Sequence, residues 1–230
     1  LDALIQAIRA ESGVRRLGGV NEKIEAKVNA ALRQSTYGAT EYNRLSGNTT
    51  RVWDIDFRAD GRAIATVSQS GTIRIWDRSG RLRHTLIQPG RELRAIAFSP
   101  NQRAIATATS DGRIRILDYN GRMQREFEAH YQEIWDLAFS PDGRFLASAS
   151  SDSRVKLWQP DGTLVHTFIG HRAQVRQVTF SPNGKTIASA SNDRAIKLWS
   201  VGGELLETLT AHESAIIALA FSPDGQSLVS

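Results

Sequence analysis

Ser, His and Asp together can make a nucleophile relay. The hydroxyl attacks, the imidazole takes its proton, and the carboxylate orients the imidazole. The stretch FSPDGRFLASASSDSRVKLW (139–158) holds Ser148 and Asp152, and His130 stands nine residues ahead of it. Taken alone, these three residues would be a candidate hydrolytic site. The same types return at His171, Ser189 and Asp193, and His212 and Ser230 begin the set again. A catalytic triad is needed once. A cluster that recurs at a fixed interval reads instead as architecture, with buried polar groups satisfying one another.

The interval is strict. Phe57, Phe98, Phe139, Phe180 and Phe221 are each 41 residues apart. They open FRADGR, FSPNQR, FSPDGR, FSPNGK and FSPDGQ. Nineteen residues after the first four come Trp76, Leu117, Trp158 and Trp199, closing IRIW, IRIL, VKLW and IKLW. Four units are complete in these features, and a fifth runs to SLVS. In the third unit the pattern predicts strands over 134–139, 145–150, 154–158 and 164–169. The SPDG turn follows the first strand, with Pro preset for a turn and Gly free to take positive φ. A Gly-containing hairpin signal precedes the last strand of each unit: Ser79-Gly80, Asn120-Gly121, Asp161-Gly162 and Gly202-Gly203. Each unit is then a small antiparallel sheet that buries its faces only by packing against its neighbours.

Composition narrows the function classes. The 230 residues are 40% hydrophobic and 23% charged, as in ordinary globular proteins. No apolar run is long enough to span a bilayer, and no signal peptide is visible. The chain begins at Leu1, so a longer parent chain is expected. It has no cysteine, which removes thiolate nucleophiles, disulfides and Cys-type zinc sites and suits a reducing cytoplasm. No Cys–His metal spacing and no cofactor motif is found. His84 and His166 stand alone, at equivalent fourth-strand positions, with no carboxylate beside them in sequence.

The GH at 170–171, FSPNGKTIASASND at 180–193 and IKLW at 196–199 resemble the WD-repeat β-propeller family. The resemblance spans about residues 46–230. It implies an all-β propeller with four full four-stranded blades and a partial fifth, and a non-catalytic scaffold for protein partners. It also implies a structural tetrad running from loop His to turn Asp, to strand Ser or Thr, to closing Trp. In this chain the third unit would use His130, Asp152, Ser148 and Trp158, and the fourth His171, Asp193, Ser189 and Trp199. The second unit keeps only Thr107 and Asp111, with Pro89 and Leu117 in the other places. The first keeps Thr66 and Trp76, with Asn48 and Ser70 substituted. The first two blades are therefore expected to be softer. Propellers of this family usually close with seven blades, so this stretch is expected to leave apolar faces and sheet edges open and to self-associate.

What varies between units is free to carry specificity. Four residues before each Phe stand Trp53, Arg94, Trp135, Arg176 and Ile217; two positions earlier stand Arg51, Glu92, Glu133, Gln174 and Ala215. Gln69, Ser110, Ser151 and Asn192 precede the turn Asp or its replacement. By resemblance these positions form the top face around the channel mouth. Trp and Arg are the commonest binding hot spots. Either they dock a protein partner, or Trp53 and Trp135 only cap the core.

The net charge is +5 and the pI about 9.9. Much of the excess is spread by the repeat, at Arg62, Arg103, Arg144 and Lys185 and at Arg74, Arg115, Lys156 and Lys197. Even spacing predicts a solvated face rather than a nucleic-acid site. A nucleic-acid-associated scaffold and a propeller-based hydrolase or lyase remain as alternatives.

Residues 1–45 lack the 41-residue period. Leu1, Leu4, Ile5 and Ile8 fit one helical face. A second helix is predicted over 21–34, capped by Asn21, with Ile24, Val28, Ala31 and Leu32 on one side. LDALIQAI and STYGATEYNRLSG resemble the connector before the propeller in bacterial, notably cyanobacterial, STAND-type signalling ATPases. That likeness implies an upstream P-loop NTPase. The chain itself contains no G-x-x-x-x-G-K-[ST] motif.

Overall fold

The structure, a computed structural model, describes residues 45, 47–88, 90, 92–101, 104–210 and 212–230. The chain divides into two units, Leu1–Arg44 and Leu45–Ser230. The helices expected within 1–45 lie outside the described residues.

The second unit is a series of antiparallel sheets in chain order. Blade 1 is β1 Val52–Phe57, β2 Ala63–Ser68, β3 Thr72–Asp77 and β4 Leu82–Ile87. Blade 2 is β5 Leu93–Phe98, β6 Ile105–Thr109, β7 Arg113–Leu117 and β8 Met123–Glu128. Blade 3 is β9 Ile134–Phe139, β10 Leu146–Ser150, β11 Arg154–Trp158 and β12 Leu164–Ile169. Blade 4 is β13 Val175–Phe180, β14 Thr186–Ser191, β15 Ile196–Ser200 and β16 Leu205–Leu209. The pair β17 Ala220–Phe221 and β18 Leu228–Val229 follows. Each full sheet pairs its strands in sequence order, and the first strands β1, β5, β9, β13 and β17 lie side by side. This is the expected propeller arrangement, read through four blades and part of a fifth.

Strand alternation explains how the blades stack. In β10, Ala147 and Ala149 face the following blade, against Val175, Val178, Phe180 and Ile187. Leu146 points the other way, against the preceding blade's Ala106, Ala108, Ile114 and Ile116. The small β10 face thus receives large side chains of the next blade, which fills the space between these sheets. Blade 1 shows what the packing covers. Phe57 is 62% exposed, while Phe98, its counterpart one repeat on, is 6% exposed.

The basic residues of the third strands depart from expectation. Arg115 and Lys197 are only 8% and 9% exposed. Arg115 donates to Glu126 at 2.8 Å and Gln88 at 3.0 Å. Lys197 donates to Thr208 Oγ1 at 2.9 Å, and Lys156 to the Ala129 carbonyl at 2.6 Å. These long side chains lie along the sheet and spend their charge inside the fold. The third-strand charge is therefore not a solvated face, whereas Arg62, Arg144 and Lys185 are exposed as expected.

Candidate functional site

The recurrent Ser–His–Asp set forms closed, buried chains. In blade 3, His130 Nδ1 lies 2.8 Å from Asp152 and its Nε2 lies 2.7 Å from Ser148 Oγ, which also accepts from Trp158 Nε1 at 2.9 Å. In blade 4 the same contacts at His171 measure 2.9, 2.8 and 2.9 Å. The order is Asp–His–Ser–Trp, so His sits between Asp and Ser rather than at the end. One tautomer serves every donor: Trp N–H to Ser, Ser O–H to His Nε2, His Nδ1–H to Asp. Burial pulls both imidazoles below their usual value, although Asp152 and Asp193 oppose it. Burial pushes the Asp152 carboxyl up, but His130, the Arg154 amide and Lys156 together hold it below its ordinary range. Ser148 and Ser189 have no exposed surface from which to attack a substrate. These residues build the fold.

The first two blades lack this closure. Trp76 reaches Thr66 only at 3.5 Å, and Arg74 pairs with Asn48 at 2.6 Å. Thr107 Oγ1 is buried without a partner among the described residues, because Leu117 supplies no N–H where Trp158 does. His212 and Ser230 do meet in the fifth unit.

The variable residues gather at one end of the inner strands. The register of β1 with β2 slips between Val52 and Asp54, so Trp53 is the extra residue of a β-bulge. The same slip isolates Arg94, Trp135 and Arg176. A bulge releases a side chain from strict alternation and re-aims it. The four released side chains, with Arg51, make a stacked ladder. The Arg51 and Arg94 guanidiniums lie 5.0 and 3.9 Å from the Trp53 ring. Arg94 and Arg176 lie 5.5 and 3.7 Å from the Trp135 ring. The two indoles meet edge to face at 6.4 Å. Arg94 also pairs with Glu92 at 3.0 Å and lies against Glu133, although its Nε and Nη1 make no well-angled hydrogen bond. Trp135 donates to Ser151, and Gln69 to Glu92 at 3.1 Å. Gln174 binds Asn192 instead of joining the ladder. Ile217, 70% exposed, enters none of these contacts. Neither backbone slip nor stacking is visible in residue types alone; only the position's variability pointed to it.

Sequence reasoning also passed over a carboxylate row. Asp54, Asp56, Asp136 and Gln177 line a cleft of about 350 Å³ beside the inner strands. Each reaches a backbone N–H of the next inner strand: Asp54 to Ile96 at 2.8 Å, Asp56 to Phe98 at 2.7 Å, Asp136 to Val178 at 2.9 Å, Gln177 to Leu219 at 2.6 Å. The second oxygen of each Asp accepts the amide of the following residue. Burial raises Asp54 to about 6 against the pull of these amides, and raises Asp136 well above the carboxylate range, with Asp54 adding repulsion. Solvent still touches part of these residues from the cleft. With both oxygens engaged, they clasp blade to blade rather than offering a free base. The signal was present: an Asp inside otherwise apolar IWDLAF, repeated two units apart.

Among the described residues, no group of His, Asp and Glu is placed to hold a metal ion. No helix among them is long and apolar enough to cross a membrane. The WD domain, G-beta repeat matches residues 39–77, 80–118, 121–159, 162–200 and 203–230. No curated protein matches the chain. With repeated four-stranded blades and five matched units covering most of its length, the chain belongs to the WD domain, G-beta repeat family.

Proposed function

We propose that this chain is a non-catalytic docking module that takes a protein partner on the end where Trp53, Arg94, Trp135 and Arg176 converge. Repeats of this family generally act as scaffolds for protein–protein interaction and are typically not enzymes. The observation that carries the finer reading is the shared bulge. Where the first strand of each unit slips against the second, it presents a large variable side chain, Trp or Arg in all four full blades; the second slip of each blade lies between its third and fourth strands. Such residues dominate binding energy when a partner shields them from water.

The test is site-specific photocrosslinking in the full-length protein. A crosslinker at Gln174, near the ladder, should capture one defined partner. One at Arg125, on an outer strand, should not. Trp135→Ala with Arg176→Ala should remove the crosslink while the far-ultraviolet spectrum stays that of a folded sheet. Capture from Arg125 alone would place docking on the blade rims and overturn the reading.

The wider setting is a proposal from residues 1–45 only: sensor module of a larger bacterial signalling NTPase in the cytoplasm, with the connector relaying the bound state. The lack of cysteine agrees with a reducing compartment. A nucleic-acid role is disfavoured because the third-strand bases are spent on Glu126, Gln88, Thr208 and a backbone carbonyl.

A further inference from the structure

We propose that the Arg–Trp ladder recognises an acidic segment of its partner, whose carboxylates pair with Arg51 and Arg176. The inference rests on the reading of this end of the strands as the docking face and names the chemistry it selects.

Trp53 lies between Arg51 and Arg94, and Trp135 between Arg94 and Arg176. A ligand ammonium or guanidinium seeking an aromatic face would have to displace a resident arginine. The ladder is therefore not a cage for cations.

The local carboxylates are also taken. Glu92 and Glu133 both engage the central Arg94. The two flanking guanidiniums have no ion-pair partner among the described residues. Arg51 is exposed. Arg176 is half-buried and makes no hydrogen bond within the described fold, yet its nitrogens are not among the buried unpartnered atoms, so they reach solvent. Desolvation and the charge of Arg94 both disfavour the Arg176 cation, and Glu133 offsets them only in part. An incoming carboxylate would relieve that imbalance.

Stacking adds the geometric part. A guanidinium held over an indole face by its carbon keeps N–H groups free at its own edge. A planar carboxylate binds such an edge through two parallel hydrogen bonds. With both guanidiniums already held against indole rings, less side-chain entropy is lost when the anion arrives. The site thus resembles a two-point clamp, open to an extended chain bearing spaced Asp or Glu.

The experiment is fluorescence anisotropy with the full-length protein and a fluorescein-labelled peptide of alternating Glu and Gly, beside the same peptide with Gln for Glu. The acidic peptide should bind and the Gln peptide should not. Arg51→Met and Arg176→Met should each weaken binding by about tenfold, as for a partly exposed charge pair at an interface. Arg62→Met, an exposed base outside the ladder, should leave it unchanged. Arg51 lies outside the core, so its variant reports binding even if Arg176→Met impairs folding. Three results would each overturn the inference: no binding of the acidic peptide, equal binding of the Gln peptide, or equal weakening by Arg62→Met. The Gln174 crosslink is read separately. If it persists while the acidic peptide fails, docking at this end stands and only the choice of an acidic partner falls.

Discussion

Around Ser148 a carboxylate, an imidazole, a hydroxyl and an indole close a chain of hydrogen bonds. At Thr107, the same place one blade earlier, the hydroxyl is buried and bonds to nothing among the described residues. The two blades share strand order, register and an apolar interface. The comparison separates what makes a blade from what tightens it. Alternating small and large residues suffice for the sheet stack. The polar tetrad is added on top, and it matters because a buried polar atom is costly only while unpaired.

The contrast should be largest at the indoles. Trp158→Ala and Trp199→Ala each remove a buried ring packed at a tilt against Phe127 or Phe168, at 5.1 and 5.3 Å between centroids. Each should lower unfolding free energy by about 3–5 kcal/mol in denaturant titration. A loss confined to a fraction of that would mean the tetrad blades are no tighter than the others.

Next comes a difference of sign. Ser148→Ala strands both His130 Nε2 and Trp158 Nε1 and should cost about 1–3 kcal/mol. Thr107→Val removes an orphaned hydroxyl at constant shape and should be neutral or stabilising. Equal costs in the two blades would dissolve the distinction.

The turns run the other way. Ser153 and Arg194 hold φ of 66° and 71°, where blades 1 and 2 have Gly71 and Gly112. At Gly112 a Cβ would stand 2.2 Å from the His130 carbonyl oxygen, so that glycine is fixed. Ser153→Gly and Arg194→Gly should relieve strain and raise stability by roughly 1 kcal/mol each. The tighter blades thus carry backbone strain that the looser ones avoid, and a destabilising result would show that these side chains offset it.

Acid should separate blade 4 from blade 1. The His171 imidazole is depressed in the fold, so the unfolded chain binds more protons. Its contribution is complete above the unfolded value of 6.5 and is lost as pH falls below it. Asp193, also depressed, loses its share only below its ordinary 3.8. Asp54 is raised to about 6, so blade 1 takes up protons more readily than the unfolded chain between 3.8 and 6 and gains relative stability there. Amide exchange should show protection falling in β14 and β15 between pH 7 and pH 5 and holding in β1 and β2. Parallel losses in both blades would contradict these opposite shifts.

The period and its phenylalanines were enough to place the strands: 134–139, 154–158 and 164–169 coincide with β9, β11 and β12, and 145–150 exceeds β10 by one residue. The tetrads were legible because their residues recur. The Trp53–Arg176 positions were legible as variable, but their stacking was not. A bulge is a change in backbone registry that any side chain tolerates, so no residue type announces it. The carboxylate clasp was missed because one Asp in a strand looks like ordinary polar alternation. The third-strand bases misled because periodic charge says nothing about whether a long side chain lies flat or reaches out.

The bulge also bears on how such a chain can change over time. On each inner strand it sets aside one position whose occupant is released from strict alternation. Copying, deleting or swapping units then rewrites a short string of half-buried letters, here Trp-Arg-Trp-Arg, while the grammar that folds them stays intact. Selection can edit what is recognised without renegotiating the core, and the recognised message grows by one symbol with each added repeat.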